Sequence, residues 1–342
     1  VKQTQASYEQ ARLLLCELGI YIRASVCSVR RYGSEKLSRV SAVTASDTIY
    51  AIDRISEKAI FRWFQTSWPK QWPIQIIMEG IEDDEIVTFP RGTPVEQTVF
   101  KCILDPIDGT RGLMYDKRSA WVLSALALQK GKANRLDDLI VAVMTEVPTT
   151  KQWRSDQISA VKGRGIVAQS YDCRDTVKKS RAVSLKLKSS RAKNCVNGFA
   201  SFARFFPEGK ILTSRIEEAL WKKLYGQQGE GSPMIFEDQY ISTGGQIYEL
   251  LCGHDRLIVD IRPMVFKALR LPVALVCHPY DICTALILIE AGGIAENPLG
   301  GSIQGPLDTT SSISWVGYAN EALARTIRGP LKKILKQELR LK

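Results

Sequence analysis

Two aspartates stand three positions apart around a proline in Ile103-Leu104-Asp105-Pro106-Ile107-Asp108-Gly109-Thr110, directly after an apolar run. Carboxylates beside apolar sequence are costly to bury unless a positive group pairs with them. The spacing reads in two ways. It is an Asx-turn capped by Thr110, or it is a cation site on which Asp105, Asp108 and the Ile107 carbonyl converge. The second reading is an all-oxygen donor set. That suits Mg²⁺, which takes few protein ligands and keeps water and substrate phosphate in its shell. Gly109 would let the backbone approach an anion closely, and the N–H groups of Gly109 and Thr110 would open a helix or turn toward it.

The charge balance also points to a phosphate-bearing partner. The net charge is +11, and residues 151–225 hold 17 Lys and Arg against 6 Asp and Glu. These cations are spread out and lack the interleaved aromatics of a single-strand groove, so no nucleic-acid partner is expected. A small phosphorylated metabolite fits better. Only His254 and His278 are present, which excludes a His-rich metal centre, and no G-x-S-x-G elbow supports a serine hydrolase. Eight cysteines without a C-x-x-C pair read as reduced core thiols of a cytoplasmic protein. No apolar window is long enough to span a membrane. The first twenty residues lack the order of a signal peptide, although a chain opening on Val leaves open whether a leader preceded it.

Positioning these groups requires strands and helices in mixture. At 342 residues, two domains are expected, drawn here as residues 1–165 and 166–342, with the composition turning polar and basic between about 150 and 195. Residues 5–30 carry helical periodicity, and a second helix is expected from Val43-Thr44-Ala45-Ser46-Asp47 to just before Pro69. Residues 74–80 and 98–105 read as strands, and "AWVLSALALQKG" and "DLIVAVMTEV" as a strand pair. Helices are expected at 215–225 and after "STGG" (242–245). Residues 271–293 read as a strand, a turn and a buried helix stopped by Gly292-Gly293. The tail "LKKILKQELRLK" reads as a basic amphipathic helix, a solvated terminal element and not a membrane anchor. The mixture indicates an α/β (α+β) fold.

Four of these stretches, in order, resemble the inositol monophosphatase family, whose superfamily includes fructose-1,6-bisphosphatases and 3'(2'),5'-bisphosphate nucleotidases. "LDPIDGT" matches the first signature of the family. "VTASD" resembles the V-T-x-x-D opening its second helix. "IIMEG" falls where the family has a strand ending in a metal-binding glutamate. "PYDICTALILIEAGG" (279–293) resembles W-D-x-A-A-G-x-L-I-x-x-E-A-G-G. The resemblance implies a layered α/β/α/β/α sandwich, two or three Mg²⁺ per site, inhibition by Li⁺ and a homodimer. It implies that Glu79, Asp105, the Ile107 carbonyl, Asp108 and Asp281 hold the metals, with Glu79 preferred to Glu82, Asp83 and Asp84. Thr110 and Asp47 resemble the pair that activates the attacking water. Gly109, Thr110, Ser242, Thr243 and Gly244 would contact substrate.

Capping roles compete at two of these positions. Thr44 and Asp47 also form a capping-box pattern, and Asp281 could cap its own helix. Glu290 reads as supporting that helix. The pattern also departs from the family's: Tyr280 replaces Trp, and the segment from Asp281 to Gly292 is one residue short. Ala274 stands where a substrate-binding glutamate is usual, and Ser242-Thr243-Gly244-Gly245 reorders the substrate loop. "TRGL" (110–113) leans toward nucleotidases, although no adenine-stacking motif is legible. The expected activity is Mg²⁺-dependent hydrolysis of an inositol or sugar phosphate by in-line attack of water. The alternatives are a 3'(2'),5'-bisphosphate nucleotidase and a silent relative that only binds phosphometabolites.

Overall fold

The computed structural model describes residues 4–30, 40–43, 48–81, 85–174, 182–226, 234–273 and 275–341. The helical periodicity of the first segment produces α1 (Gln5–Arg30). An antiparallel pair, β1 (Val40–Val43) and β2 (Thr48–Tyr50), precedes α2 (Ala51–Ser67). The second helix therefore starts later than expected. Thr48, Ile49 and Tyr50 are β-branched or aromatic and pair with β1 instead.

Eight strands follow: β3 (Ile74–Met78), β4 (Val87–Phe89), β5 (Phe100–Asp108), β6 (Ala120–Leu128), β7 (Leu139–Val147), β8 (Arg154–Val161), β9 (Ile166–Asp172) and β10 (Val183–Ser184). The short helix α3 (Thr110–Met114) links β5 to β6. The strands form one sheet in the order β10-β9-β8-β7-β6-β5-β3-β4. Only β3 and β5 run parallel within it; the other neighbours are antiparallel.

Beyond this sheet come β11 (Gly198–Phe202), α4 (Lys210–Tyr225), β12 (Ile235–Phe236), α5 (Thr243–Cys252), β13 (Asp255–Asp260) and α6 (Arg262–Leu269). The chain continues through α7 (Pro279–Ile282), α8 (Ala285–Glu290), β14 (Ile294–Glu296), β15 (Trp315–Tyr318) and α9 (Glu321–Glu338). A second, five-stranded sheet has the order β12-β11-β13-β15-β14.

Five layers result. Helices α1 and α2 cover one face of the large sheet, and α5, α7 and α8 cover the other. Helix α5 also packs on β13 and β15, while α4 and α9 close the far face of the small sheet. The period-2 alternation of strands makes this possible. Phe100, Cys102 and Leu104 of β5 enter the core under α1 and α2, whereas Ile103 joins Trp121 and Leu123 in the core shared with the second half. The outcome is the α/β/α/β/α sandwich expected from the four motifs.

Residues 271–278 differ from expectation: no strand forms among those described. Leu275 has φ +54° and gives its carbonyl to Arg262 Nη1 at 2.6 Å, so it cannot join a ladder. The following helix is split into α7 and α8 by Cys283 and Thr284. The tail forms the end of α9 and is amphipathic as read, with Leu331, Ile334 and Leu335 buried. Asn320 caps α9 by accepting from Leu323 N at 3.0 Å, and Leu323 and Ile327 are buried too. None of the eight cysteines is in a disulfide, and five of them are buried. No helix among the described residues is long and apolar enough to cross a membrane.

Candidate metal centre

Residues three apart on a regular strand face opposite ways. Asp105 and Asp108 escape this because β5 is bulged. Asp105 pairs with Leu123 on β6 and Asp108 with Trp121, so three steps on one strand match two on the other. The extra residue is absorbed around Pro106, where a missing N–H costs the ladder nothing. Both carboxylates thus turn toward the central layer, while Ile107 packs into the core under α1 and α2.

The turn is held by its own side chains. Asp105 Oδ1 accepts from Ile107 N at 2.9 Å, an Asx-turn, and Thr110 Oγ1 donates to the Ile107 carbonyl at 2.7 Å. The Asx-turn reading of this stretch is therefore realised, and the same turn presents the acids together. Gly109 takes φ +93° at the start of α3, a conformation that favours glycine.

Asp108 is fixed from the second half of the chain. Ser242 Oγ donates to its Oδ2 at 2.8 Å and Gly244 N at 2.6 Å, while Thr243 N approaches Oδ1 at 3.3 Å. The acid therefore sits at the N-terminus of α5, where unsatisfied N–H groups favour an anion. A side chain at Gly244 would close this approach, because a Cβ there would lie 2.6 Å from Leu123 Cδ2 and 3.1 Å from Asp108 Oδ2. Asp281 arrives on α7 and accepts from His278 N at 2.6 Å, so it caps its helix as the alternative reading supposed.

One carboxylate oxygen from each of Asp105, Asp108 and Asp281 can lie within 4.8 Å of the other two. Glu79, one residue beyond β3, lines the same cleft, as do Ile107, Gly109, Thr110, Ser242 and Thr243. Gly244 instead serves Asp108 from behind. Asp47, Glu82, Asp83, Asp84 and Ala274 lie outside the described residues. Glu290 is remote from the cleft. It accepts from Gly163 N at 2.7 Å and Gly165 N at 2.8 Å, tying α8 to the turn between β8 and β9.

The cluster is electrostatically frustrated. Burial pushes the Asp105 carboxyl well above its usual range, and the charges of Glu79, Asp108 and Asp281 push it further. Burial and then Asp281 raise Asp108 as well, against the three donors from Ser242, Thr243 and Gly244. Buried like charges of this kind are relieved by a cation. An all-oxygen, anionic donor set fits a hard divalent ion such as Mg²⁺ and does not favour a soft one. Asp105, Asp108 and Asp281 thus form a cluster capable of binding a divalent metal.

The second half also supplies lining residues that no motif announced: Phe205 and Phe206 after β11, Arg262 at the start of α6, and Val276 and His278 before α7. They enter from three separate segments, so no single local spacing marks them.

No protein-family model and no curated protein sequence matches the chain. Solved structures do. The chain is similar to the extragenic suppressor protein SuhB of Bartonella henselae, with a TM-score of 0.61, 18% identity, and coverage of 96% of this chain and 99% of that one. It is similar to Leishmania major fructose-1,6-bisphosphatase, with a TM-score of 0.66, 11% identity, and coverage of 98% and 99%. It is also similar to a staphylococcal IMPase-II, with a TM-score of 0.58, 16% identity, and coverage of 99% and 100%. At these identities the likeness is one of fold, and it extends along nearly the whole chain.

Proposed function

We propose that this chain, which has the fold common to inositol monophosphatases and fructose-1,6-bisphosphatases, is a Mg²⁺-dependent phosphomonoesterase acting on a small phosphorylated metabolite. The observation that carries the proposal is the convergence of Asp105, Asp108 and Asp281, from two halves of the chain, on one cleft. Asp105, Asp108, Asp281, the Ile107 carbonyl and Glu79 would hold two or three Mg²⁺. When bound, such ions neutralise charge on the phosphoryl group and make water a better nucleophile.

The chain's own residues do the positioning. Thr110 Oγ1 directs its proton to the Ile107 carbonyl, which leaves the hydroxyl oxygen able to accept from a water in the cleft. Asp47 is proposed as its partner in orienting that water. Ser242, Thr243 and Gly244 favour the ionised form of Asp108 by donating to it, partly offsetting its burial and the charge of Asp281. Division into domains at about residue 165, a homodimer, inhibition by Li⁺ and a cytoplasmic location belong to the same proposal.

The test is Mg²⁺-dependent phosphate release from inositol 1-phosphate, adenosine 3',5'-bisphosphate, fructose 1,6-bisphosphate and simple sugar phosphates, with Asp108→Asn as control. Turnover that the variant loses supports the proposal. Folded protein that binds Mg²⁺ yet releases phosphate from none of them favours a phosphometabolite-binding role instead.

A further inference from the structure

One stretch of the cleft wall is apolar, formed by Phe205, Phe206, Ile241, Leu275 and Val276, while Arg111, Ser242, Thr243 and His278 are among the polar side chains that line the rest. A polyol phosphate carries hydroxyls around its ring, and a hydroxyl buried without a partner is costly. The apolar stretch offers it none. An apolar, planar face would lose nothing against them.

The aromatic pair is also rigidly mounted. The Arg262 guanidinium carbon stands 4.8 Å from the Phe205 ring centroid, and the Phe206 ring meets Phe205 edge-on at 6.3 Å and 86°. Arg262 cannot turn to follow a ligand. Its Nε and Nη2 donate to Asp260 at 2.9 and 2.6 Å, and its Nη1 donates to the Leu275 carbonyl at 2.6 Å. Asp260 is fully buried and Arg262 nearly so. A buried ion pair of this kind adds little stability over an apolar replacement. Here it holds one aromatic ring and the 275 segment in register along the wall of the cleft.

We infer that Phe205 and Phe206 form a stacking platform for a planar ring in the alcohol part of the substrate, so that the substrate class is a nucleoside phosphate rather than a polyol or bare sugar phosphate. The inference rests on the phosphatase reading of the same cleft. The reaction consumes one water: its oxygen bonds to phosphorus, the P–O ester bond breaks, and the nucleoside leaves with a proton on its hydroxyl.

Adenosine 5'-monophosphate and ribose 5-phosphate differ in the base alone and make the probe pair. Their dissociation constants with Mg²⁺ present, by titration calorimetry, and their kcat/KM values would be measured for the wild type, Phe205→Leu and Phe206→Leu. Leucine keeps apolar bulk and removes the flat face, and a melting curve checks that each variant folds. The expected result is tighter binding of the adenosine ester by roughly five- to a hundredfold, with that preference collapsing in both variants. Equal binding of the two esters by the wild type, binding of neither, or a preference that survives both variants would overturn the inference. A Phe-dependent binding preference without phosphate release would leave the platform standing and remove the phosphatase reading. Equal kcat/KM for both esters, with no binding preference, would do the reverse.

Discussion

Ser242 and Asp108 are joined by a 2.8 Å hydrogen bond across 134 positions of the chain. The Ser242 hydroxyl oxygen also accepts from Gly245 N at 2.8 Å and so caps α5. One hydroxyl therefore starts a helix of the central layer and aims an acid of the large sheet. Folding of α5 and assembly of the acidic cluster are coupled through it.

Ser242→Ala should cost about 1–2 kcal/mol of stability through the lost cap. It should also weaken metal binding about 10- to 100-fold, the usual effect of removing a group that orients a ligand. Chemical denaturation and Mn²⁺ titration calorimetry measure the two separately. Unchanged metal affinity in a destabilised variant would mean that Gly244 N and Thr243 N suffice to aim Asp108.

Metal should stabilise the protein, because it relieves repulsion among Glu79, Asp105, Asp108 and Asp281. Saturation at a hundred times the dissociation constant corresponds to about 2.7 kcal/mol, visible as a rise in Tm. Asp281→Asn should abolish that rise. Its side-chain oxygen can still accept from His278 N, so in metal-free buffer the variant should melt at or above the wild-type temperature. A variant that melts lower without metal would show that the Asp281 charge supports the fold directly.

Glycine is required at 244 by contact and at 292 only by conformation. Gly244→Ala would press a methyl against Leu123 and Asp108, at an expected cost of about 1–3 kcal/mol, together with loss of metal affinity. Gly292 has φ +88° with nothing within 4 Å of a built Cβ, so Gly292→Ala should cost about 1 kcal/mol and leave metal binding intact. Equal metal affinity in the two variants would count against Gly244 as the support behind Asp108.

Stability should fall as pH rises through the weakly acidic range. Burial pushes the Asp255 carboxyl up to about 7, and Glu249 and Asp238 add repulsion that outweighs the pull of His254 and Arg118. A carboxyl raised on folding makes the folded state bind the extra proton, so the stabilisation is present near pH 4 and is lost on approaching 7. Asp255→Asn should flatten that slope and stabilise the protein at pH 8 by up to about 4 kcal/mol. Denaturation midpoints at pH 4.5, 6 and 8 would show it, and parallel curves for the two proteins would refute it.

Much of the scaffold was legible because its signals are local. The helical period of residues 5–30 became α1, and the apolar runs at 74–80, 98–105, 120–131 and 138–147 became β3, β5, β6 and β7. Residues 271–278 were misread as a strand for the same local reason. An apolar run cannot reveal that Arg262 will take the Leu275 carbonyl, or that Leu275 will adopt a positive φ.

The chemistry of the candidate site divides along the same line. Asp105, Pro106, Ile107, Asp108, Gly109 and Thr110 are neighbours, so their types and order already specify an acidic turn with an all-oxygen outlook. That Asp105 and Asp108 face the same way needed β6 as a partner, because a bulge exists only relative to the strand beside it. Asp281, Ser242, Phe205 and Arg262 reach the cleft through the stacking of two sheets on a shared helix layer. Convergence over such separations depends on how apolar faces pack, a property that no single stretch of chain carries.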